Sequence, residues 1–192
     1  MRRGDWMQTY SGKQFWPLDP HADEVDIGDI AHSLSLQCRF AGHCREFYSV
    51  AQHSVLVSLE AEEATHKAEE TPNRVADPAR VRLAALWGLL HDASEAYLID
   101  VPRPIKPHLA GYRGIEVRVQ DVICEHFGLP LDPPAVVHVA DGVLLATEAR
   151  DLMGRQPAPW APMPPPRGNR IEPWPPGHAK SMFLKRFADL TQ

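Results

Sequence analysis

Three stretches of this 192-residue chain place ionisable side chains where a helix should bury apolar ones. His53 lies in SVAQHSVLV, the pair His91-Asp92 in ALWGLLHDASEAYL, and Asp141 in VVHVADGVLLA. An unpaired carboxylate on a core-facing stripe costs on the order of several kcal/mol, so it shifts its pKa, finds a partner or binds a metal. Each position has a plainer reading when taken alone. His53 could be a satisfied core histidine, His91-Asp92 a solvated surface dipeptide, and Asp141 one half of a salt bridge. The dipeptide, however, directly follows Leu86-Trp87-Gly88-Leu89-Leu90, which forces it into the interior or onto a pocket wall. Two imidazoles and two carboxylates converging from three helices satisfy one another through a single divalent cation. Glu95 follows four residues after His91 and three after Asp92, on the same side of a helix, and Asp100 stands at that helix's exit.

The elements that must carry these residues are helical. Residues 1–22 read as irregular, punctuated by Gly12, Pro17 and Pro20 among Trp6, Tyr10, Phe15 and Trp16. An acidic start at Asp23, Glu24 and Asp26 suits a helix N-terminus; that helix runs through Ile27, Ile30, Ala31 and Leu34 and ends near Phe40-Ala41-Gly42. A second helix begins near Ser49, with Val50, His53 and Val57 on one stripe, and fades into EAEEATHKAEETPN, read as a charged mobile loop. Asp77-Pro78 is an N-cap followed by proline at the first helical position. The helix it opens, AALWGLLHDASEAYL, is apolar nearly all round and so is central. The three prolines of DVPRPIKP forbid a helix and predict a rigid loop. Residues 110–127 form another helix, with Ile115, Val119, Val122 and Ile123 inward. Asp132-Pro133 opens the one that carries Asp141 to about Met153. Nine prolines between 157 and 176 predict an extended strap before a short amphipathic helix, HAKSMFLKRFADL, packed on the same body or on a neighbouring subunit. The class is all-α, with a domain over 1–153 and a Pro-rich tail over 154–192.

A net charge of −5 disfavours sequence-independent nucleic-acid binding, which needs a basic face. It leaves room for a small anionic substrate, because a bound cation and a few local Arg or Lys residues set the field inside a pocket. No apolar run approaches the roughly 18–20 residues of a membrane span, and MRRGDWMQTYSGK has no apolar core of a secretory signal. A cytoplasmic location is expected. Cys38, Cys44 and Cys124 lack paired CxxC spacing and read as reduced, incidental thiols, although Cys38 and Cys44 flank His43.

His53, His91-Asp92 and Asp141 resemble, in order and spacing, the H…HD…D signature of the HD-domain metal-dependent phosphohydrolases. HDASEAYLIDVPRPIK (91–106) is similar to the HDxxE…DxPxPxK stretch of bacterial 5′-deoxynucleotidases and of phage-type dATP triphosphohydrolases. TYSGKQFWPLDP, IAHSLSLQCRFAGHCREFYSVAQHSVLVS and VADGVLLATEARDL look like the second group. The likeness covers roughly residues 8–153; the four ligands alone define the superfamily, and the loop motif narrows it to nucleotides.

The resemblance implies a single ion held by His53, His91, Asp92 and Asp141. Mixed His and Asp ligation suits Co²⁺, Mn²⁺, Zn²⁺ or Fe²⁺ better than Mg²⁺, and a second Mg²⁺ or Mn²⁺ could accompany the phosphates. Glu95 and Asp100 correspond to the acid/base carboxylates, in an order that the sequence leaves open. Arg39 corresponds to a substrate-phosphate arginine and Lys106 to the lysine closing the proline loop. Phe40 stands where relatives often carry tryptophan against the sugar or base, Gly42 sits nearby, and His138 occupies a position for a phosphate contact. The implied activity is hydrolysis of a deoxynucleoside triphosphate, foremost dATP, to deoxynucleoside and triphosphate. Arg103, Lys106, His108 and Arg113 supply the charge that favours the longer substrate. The alternatives are a 5′-deoxynucleotidase on monophosphates and a non-catalytic nucleotide-binding domain. The expected partner is the deoxynucleotide, in a homo-oligomer (dimer or hexamer), inside a bacterial or phage-infected cell.

Overall fold

In the computed structural model, which describes residues 2–70, 75–158, 160 and 162–192, the chain is all-α. Among the described residues its helices are α1 (Ile27–Leu36), α2 (Val50–Glu69), α3 (Pro78–Leu90), α4 (Glu95–Leu98), α5 (Tyr112–Phe127), α6 (Ala135–Asp151) and α7 (Pro176–Thr191). The N-terminal segment adds a small antiparallel hairpin, β1 (Met7–Gln8) and β2 (Gln14–Phe15), with Met7 opposite Phe15. Its turn is tied to α1, where Asp29 accepts from the Ser11 amide at 2.6 Å and the Ser11 hydroxyl at 2.8 Å. Phe15 is fully buried and stacks on Tyr97 with ring centroids 3.8 Å apart.

The centre is the α2–α3 pair. Gly88 lets them approach closely: a Cβ built there would lie 2.9 Å from Ser58 Cα and 3.1 Å from the Val57 carbonyl oxygen. Ser58 Oγ donates to the Ala85 carbonyl at 2.7 Å across the same contact. α6 lies across both helices, and α7 packs on α1, α2 and α3. The core joins Leu34, Val50, Val57, Leu89, Leu90, Ile123, Leu144 and Phe183, all fully buried. No helix among the described residues is long and apolar enough to cross a membrane.

Four expectations need correction. α1 stops at Leu36 rather than near Gly42, because Cys38 pairs with Ser49 in an antiparallel bridge and residues 39–42 form a tight turn with Phe40 and Ala41 left-handed (φ 55° and 51°). Gly42, at φ 81°, closes that turn rather than a long helix. EAEEATHKAEE is not a loop: α2 continues through Glu69, supported by the Lys67–Glu63 pair one turn apart at 2.5 Å. The rest of that stretch, 71–73, lies outside the described residues. The central helix breaks after Leu90 into a turn over residues 91–94, with i+3 bonds from Ala93 N to Leu90 O and from Glu95 N to Asp92 O, before α4 resumes.

Candidate metal centre

His53 comes from the first turn of α2, whose N-cap Ser49 accepts from the Gln52 amide at 3.1 Å. His91 and Asp92 come from the turn ending α3, itself opened by Asp77, which accepts from the Ala79 amide at 3.0 Å. Asp141 comes from the second turn of α6. The four side chains meet. His53 Nε2 lies 3.3 Å from His91 Nε2, 3.3 Å from Asp141 Oδ1 and 3.7 Å from Asp92 Oδ2, and His91 Nε2 lies 3.2 Å from Asp92 Oδ2. Donor atoms of His53, His91 and Asp141 all fall within 4.8 Å of one another.

This arrangement fits a divalent ion. Ligand atoms about 2.0–2.2 Å from one cation stand about 3 Å from each other, close to the spacing found. Both imidazoles are oriented from behind: His53 Nδ1 lies 2.6 Å from Glu148 Oε1, and His91 Nδ1 lies 2.8 Å from the Gly88 carbonyl. A ring that donates through Nδ1 presents an unprotonated Nε2. Two such lone pairs facing at 3.3 Å repel unless a cation or a proton lies between them.

The electrostatics agree. Burial pushes the Asp92 and Asp141 carboxyls up, but the two histidines outweigh it and hold both well below the usual carboxylate range. For His53, burial and Arg39 press down while Glu148 and Asp141 press up, and the balance is raised to about 9. In the metal-free chain a proton on His53 offsets part of the carboxylate charge, and a metal must displace it.

Glu95 is buried in the first turn of α4 and its Oε2 has no hydrogen-bond partner. Burial, then Asp92 and Asp100, raises its pKa well above the ordinary value. Asp100 is raised as well, chiefly by burial. One side chain holds both in place: Gln37 donates to the Glu95 carbonyl at 3.0 Å and accepts from the Asp100 amide at 3.0 Å. Sequence reasoning missed Gln37. It also missed Glu148 and Tyr48, both fully buried, with Tyr48 Oη donating to Glu148 Oε1 at 2.9 Å. A signal for Glu148 existed: it stands seven residues after Asp141, two helical turns along the same face.

Beside the cluster opens a cavity of about 350 Å³ whose walls include His91, Asp92, Asp141, Trp87, Lys106 and His138, with Val117, Leu131 and Val137 as an apolar side. Its size lies in the range of small-ligand pockets. Lys106 and His138 thus face the cluster's opening. Lys106 is already paired, its Nζ 2.5 Å from Glu116 Oε1. Arg39 is almost buried and sits between two carboxylates, with Nη1 3.4 Å from Asp92 Oδ2 and Nε 3.4 Å from Glu148 Oε2. The second approach lacks hydrogen-bond geometry, since both of those atoms are without a hydrogen-bond partner. The half-buried Phe40 ring lies under the Arg39 guanidinium at 5.4 Å and 6.4 Å from the Trp160 ring. Arg39, Phe40, Glu95 and Asp100 are not among the residues lining the cavity. Of the further basic candidates, Arg103 reaches 4.0 Å from Asp141 Oδ2, while His108 and Arg113 are exposed and do not line it.

No family model matches the chain. It is similar to the protein YfdR of Escherichia coli (strain K12), 40% identical over 190 residues that span 97% of this chain and 96% of that one. It is also similar to a protein of Rhodobacter capsulatus, 35% identical over 156 residues, 78% of this chain and 74% of that one. Both are described as uncharacterized.

Proposed function

The chain belongs to the family of Escherichia coli YfdR, and for it we propose an HD-domain, metal-dependent phosphohydrolase that acts on deoxynucleotides. The observation that carries this reading is the convergence of His53, His91 and Asp141, with donor atoms within 4.8 Å of one another and Asp92 Oδ2 3.2 Å from His91 Nε2, beside a ligand-sized cavity. His53, His91, Asp92 and Asp141 would hold a Co²⁺, Mn²⁺, Zn²⁺ or Fe²⁺ ion, which would supply Lewis acidity toward a phosphoryl oxygen and toward water. The chain's own groups do the rest. Glu95, whose pKa burial raises well above the ordinary value and whose Oε2 is buried without a hydrogen-bond partner, suits a proton donor to the leaving 5′-oxygen. Asp100, more exposed and less strongly shifted, suits the acceptor that orients the attacking water. Arg39 places a buried positive charge against Asp92, Lys106 and His138 face the cavity, and Arg103 stands at its rim. Charge-assisted contacts from Lys106, His138 and Arg103 would hold the phosphates, while Arg39, outside the cavity lining, acts on the site through Asp92.

The preferred substrate is a deoxynucleoside triphosphate, foremost dATP, cleaved to deoxynucleoside and triphosphate. One observation favours a second reading, a 5′-deoxynucleotidase on monophosphates: the Lys106–Glu116 pair at 2.5 Å reduces the positive charge available to a longer phosphate chain. The experiment is direct. The purified protein is incubated with each deoxynucleoside mono- and triphosphate and Mn²⁺ or Co²⁺, and the inorganic product is identified. Release of triphosphate supports the first reading and orthophosphate from monophosphates the second. No hydrolysis of any nucleotide under any metal overturns both. Glu95→Ala should keep the metal and lose on the order of 10²–10⁴ in rate, whereas Asp92→Ala should lose both.

A further inference from the structure

Glu148, two turns beyond Asp141 on α6, is fully buried, yet the proposed ligand set makes no use of it. Each of its two oxygens has a contact that leads toward a ligand. Oε1 stands 2.6 Å from His53 Nδ1 and accepts from Tyr48 Oη at 2.9 Å. Oε2 faces Arg39 Nε at 3.4 Å, and Nη1 of the same guanidinium lies 3.4 Å from Asp92 Oδ2. α6 therefore supplies one ligand, Asp141, and reaches two more, on α2 and at the end of α3, through a single side chain.

We infer that Glu148 is the positioning residue of the metal centre: its carboxylate fixes which nitrogen of His53 carries the proton and, through Arg39, how Asp92 is aimed. The inference rests on the metal reading above. A buried carboxylate behind a ligand histidine keeps the proton on the far nitrogen and raises the basicity of the near one. An amide cannot do this at position 148. One end of a Gln side chain accepts and the other donates, while both ends of this carboxylate face donors. With its oxygen toward His53, the Gln NH₂ opposes the Arg39 Nε–H. Turned round, the NH₂ meets His53 Nδ1, the ring proton moves to Nε2, and the lone pair aimed at the cation is lost. Either way one ligand is misdirected.

The test uses the full-length protein and the metal alone, without nucleotide. Parent, Glu148→Gln and Tyr48→Phe proteins are stripped with chelator and titrated with Co²⁺, following its visible absorption. Glu148→Gln should bind Co²⁺ on the order of 10–100-fold more weakly, with an altered absorption envelope. Tyr48→Phe, which removes one donor but keeps the carboxylate, should weaken binding clearly less than Glu148→Gln. A Glu148→Gln protein with the parent's affinity and spectrum overturns the inference while leaving the metal centre standing. A parent that takes up no Co²⁺ removes the metal reading itself. Should Glu148→Gln lack the parent's helical dichroism, the parent still decides. Its Zn²⁺-loaded form must show a His53 Nδ1 proton shifted far downfield by the carboxylate, and absence of that resonance overturns the inference.

Discussion

Each imidazole of the cluster has one nitrogen held by the fold and one turned to the centre, so the state of a single proton decides whether the site is open. For His53 the sign is clear. Its pKa is raised from 6.5 to about 9 in the folded chain, with burial and Arg39 opposing and Glu148 and Asp141 prevailing. In the metal-free protein the resulting stabilisation is complete below the unfolded value of 6.5 and is lost as pH rises through 9. Metal binding runs the other way, since a cation must displace that proton. The apparent dissociation constant for Mn²⁺ should therefore fall about tenfold per pH unit between 6.5 and 8.5, and calorimetry in buffers of different ionisation enthalpy should show about one proton released. A dissociation constant that levels off near pH 6.5 would show that His53 is already neutral there. The four proposed ligand residues were legible because each breaks an apolar pattern. Glu148 breaks one too, in LLATEARDL, but a glutamate near a helix C-terminus reads as solvated until its partners Tyr48 and Arg39 are placed in space.

At the scale of elements, what the sequence shows best is where helices begin. Asp77-Pro78 opens α3 at the expected residue, and Asp26 caps α1 by accepting from the Gly28 amide at 2.8 Å, whereas α6 begins at Ala135 with Pro134 rather than Asp132 at its N-cap. Helix ends were read less well. Nothing local says that α3 breaks after Leu90, or that Phe40 and Ala41 turn left-handed, a conformation costly to non-glycine residues. Both features accompany the site: the turn after Leu90 carries His91 and Asp92, and the left-handed turn follows Arg39, which lies between two carboxylates. Gly88 is a constraint, because its lack of a side chain sets the distance between the helices that carry His53 and His91. Its nearest neighbours, at 2.9–3.1 Å, are backbone atoms of Val57 and Ser58, which cannot swing aside. Gly88→Ala should cost about 1–3 kcal/mol, as overpacking does, despite alanine's better helix propensity. Denaturant unfolding measures that loss. Metal affinity should fall with it, since moving α3 off α2 widens the 3.3 Å gap between the imidazoles. A variant as stable as the parent and equally tight for metal would show that the contact is looser than it looks.

At the scale of the whole molecule, the question is whether residues 154–192 are an accessory or part of the core. Phe183 and Ala179 on α7 are fully buried, and Arg186 reaches α2, its Nε donating to Ser58 Oγ at 2.9 Å and its Nη2 pairing with Glu62 at 2.8 Å. Arg150, Thr147 and Asp151 on α6 tie the Pro-rich strap to the body, and Gln52 ties it beside the site. Gln52, the residue before His53, donates to the Glu172 carbonyl at 2.8 Å and accepts from the Trp174 amide at 2.8 Å. Composition marked this tail as separate because prolines forbid a helix there, and composition cannot show that its backbone groups meet a buried glutamine. Removing the tail would leave the Gln52 amide unsatisfied in the interior, a loss of about 1–3 kcal/mol. It would also uncover the apolar faces of α1, α2 and α3 that α7 covers. Phe183→Ala alone should cost about 3–5 kcal/mol, a large part of the roughly 5–15 kcal/mol that holds a domain together. A chain ending at residue 153 should thus show no cooperative thermal transition by circular dichroism and no tight Mn²⁺ binding. Cooperative melting of that shortened chain at the parent's temperature would show instead that the tail merely rests on a self-sufficient body. Metal should separate the two contributions: saturating Mn²⁺ should raise the melting temperature of Phe183→Ala, whose ligands are intact, and leave the shortened chain unchanged.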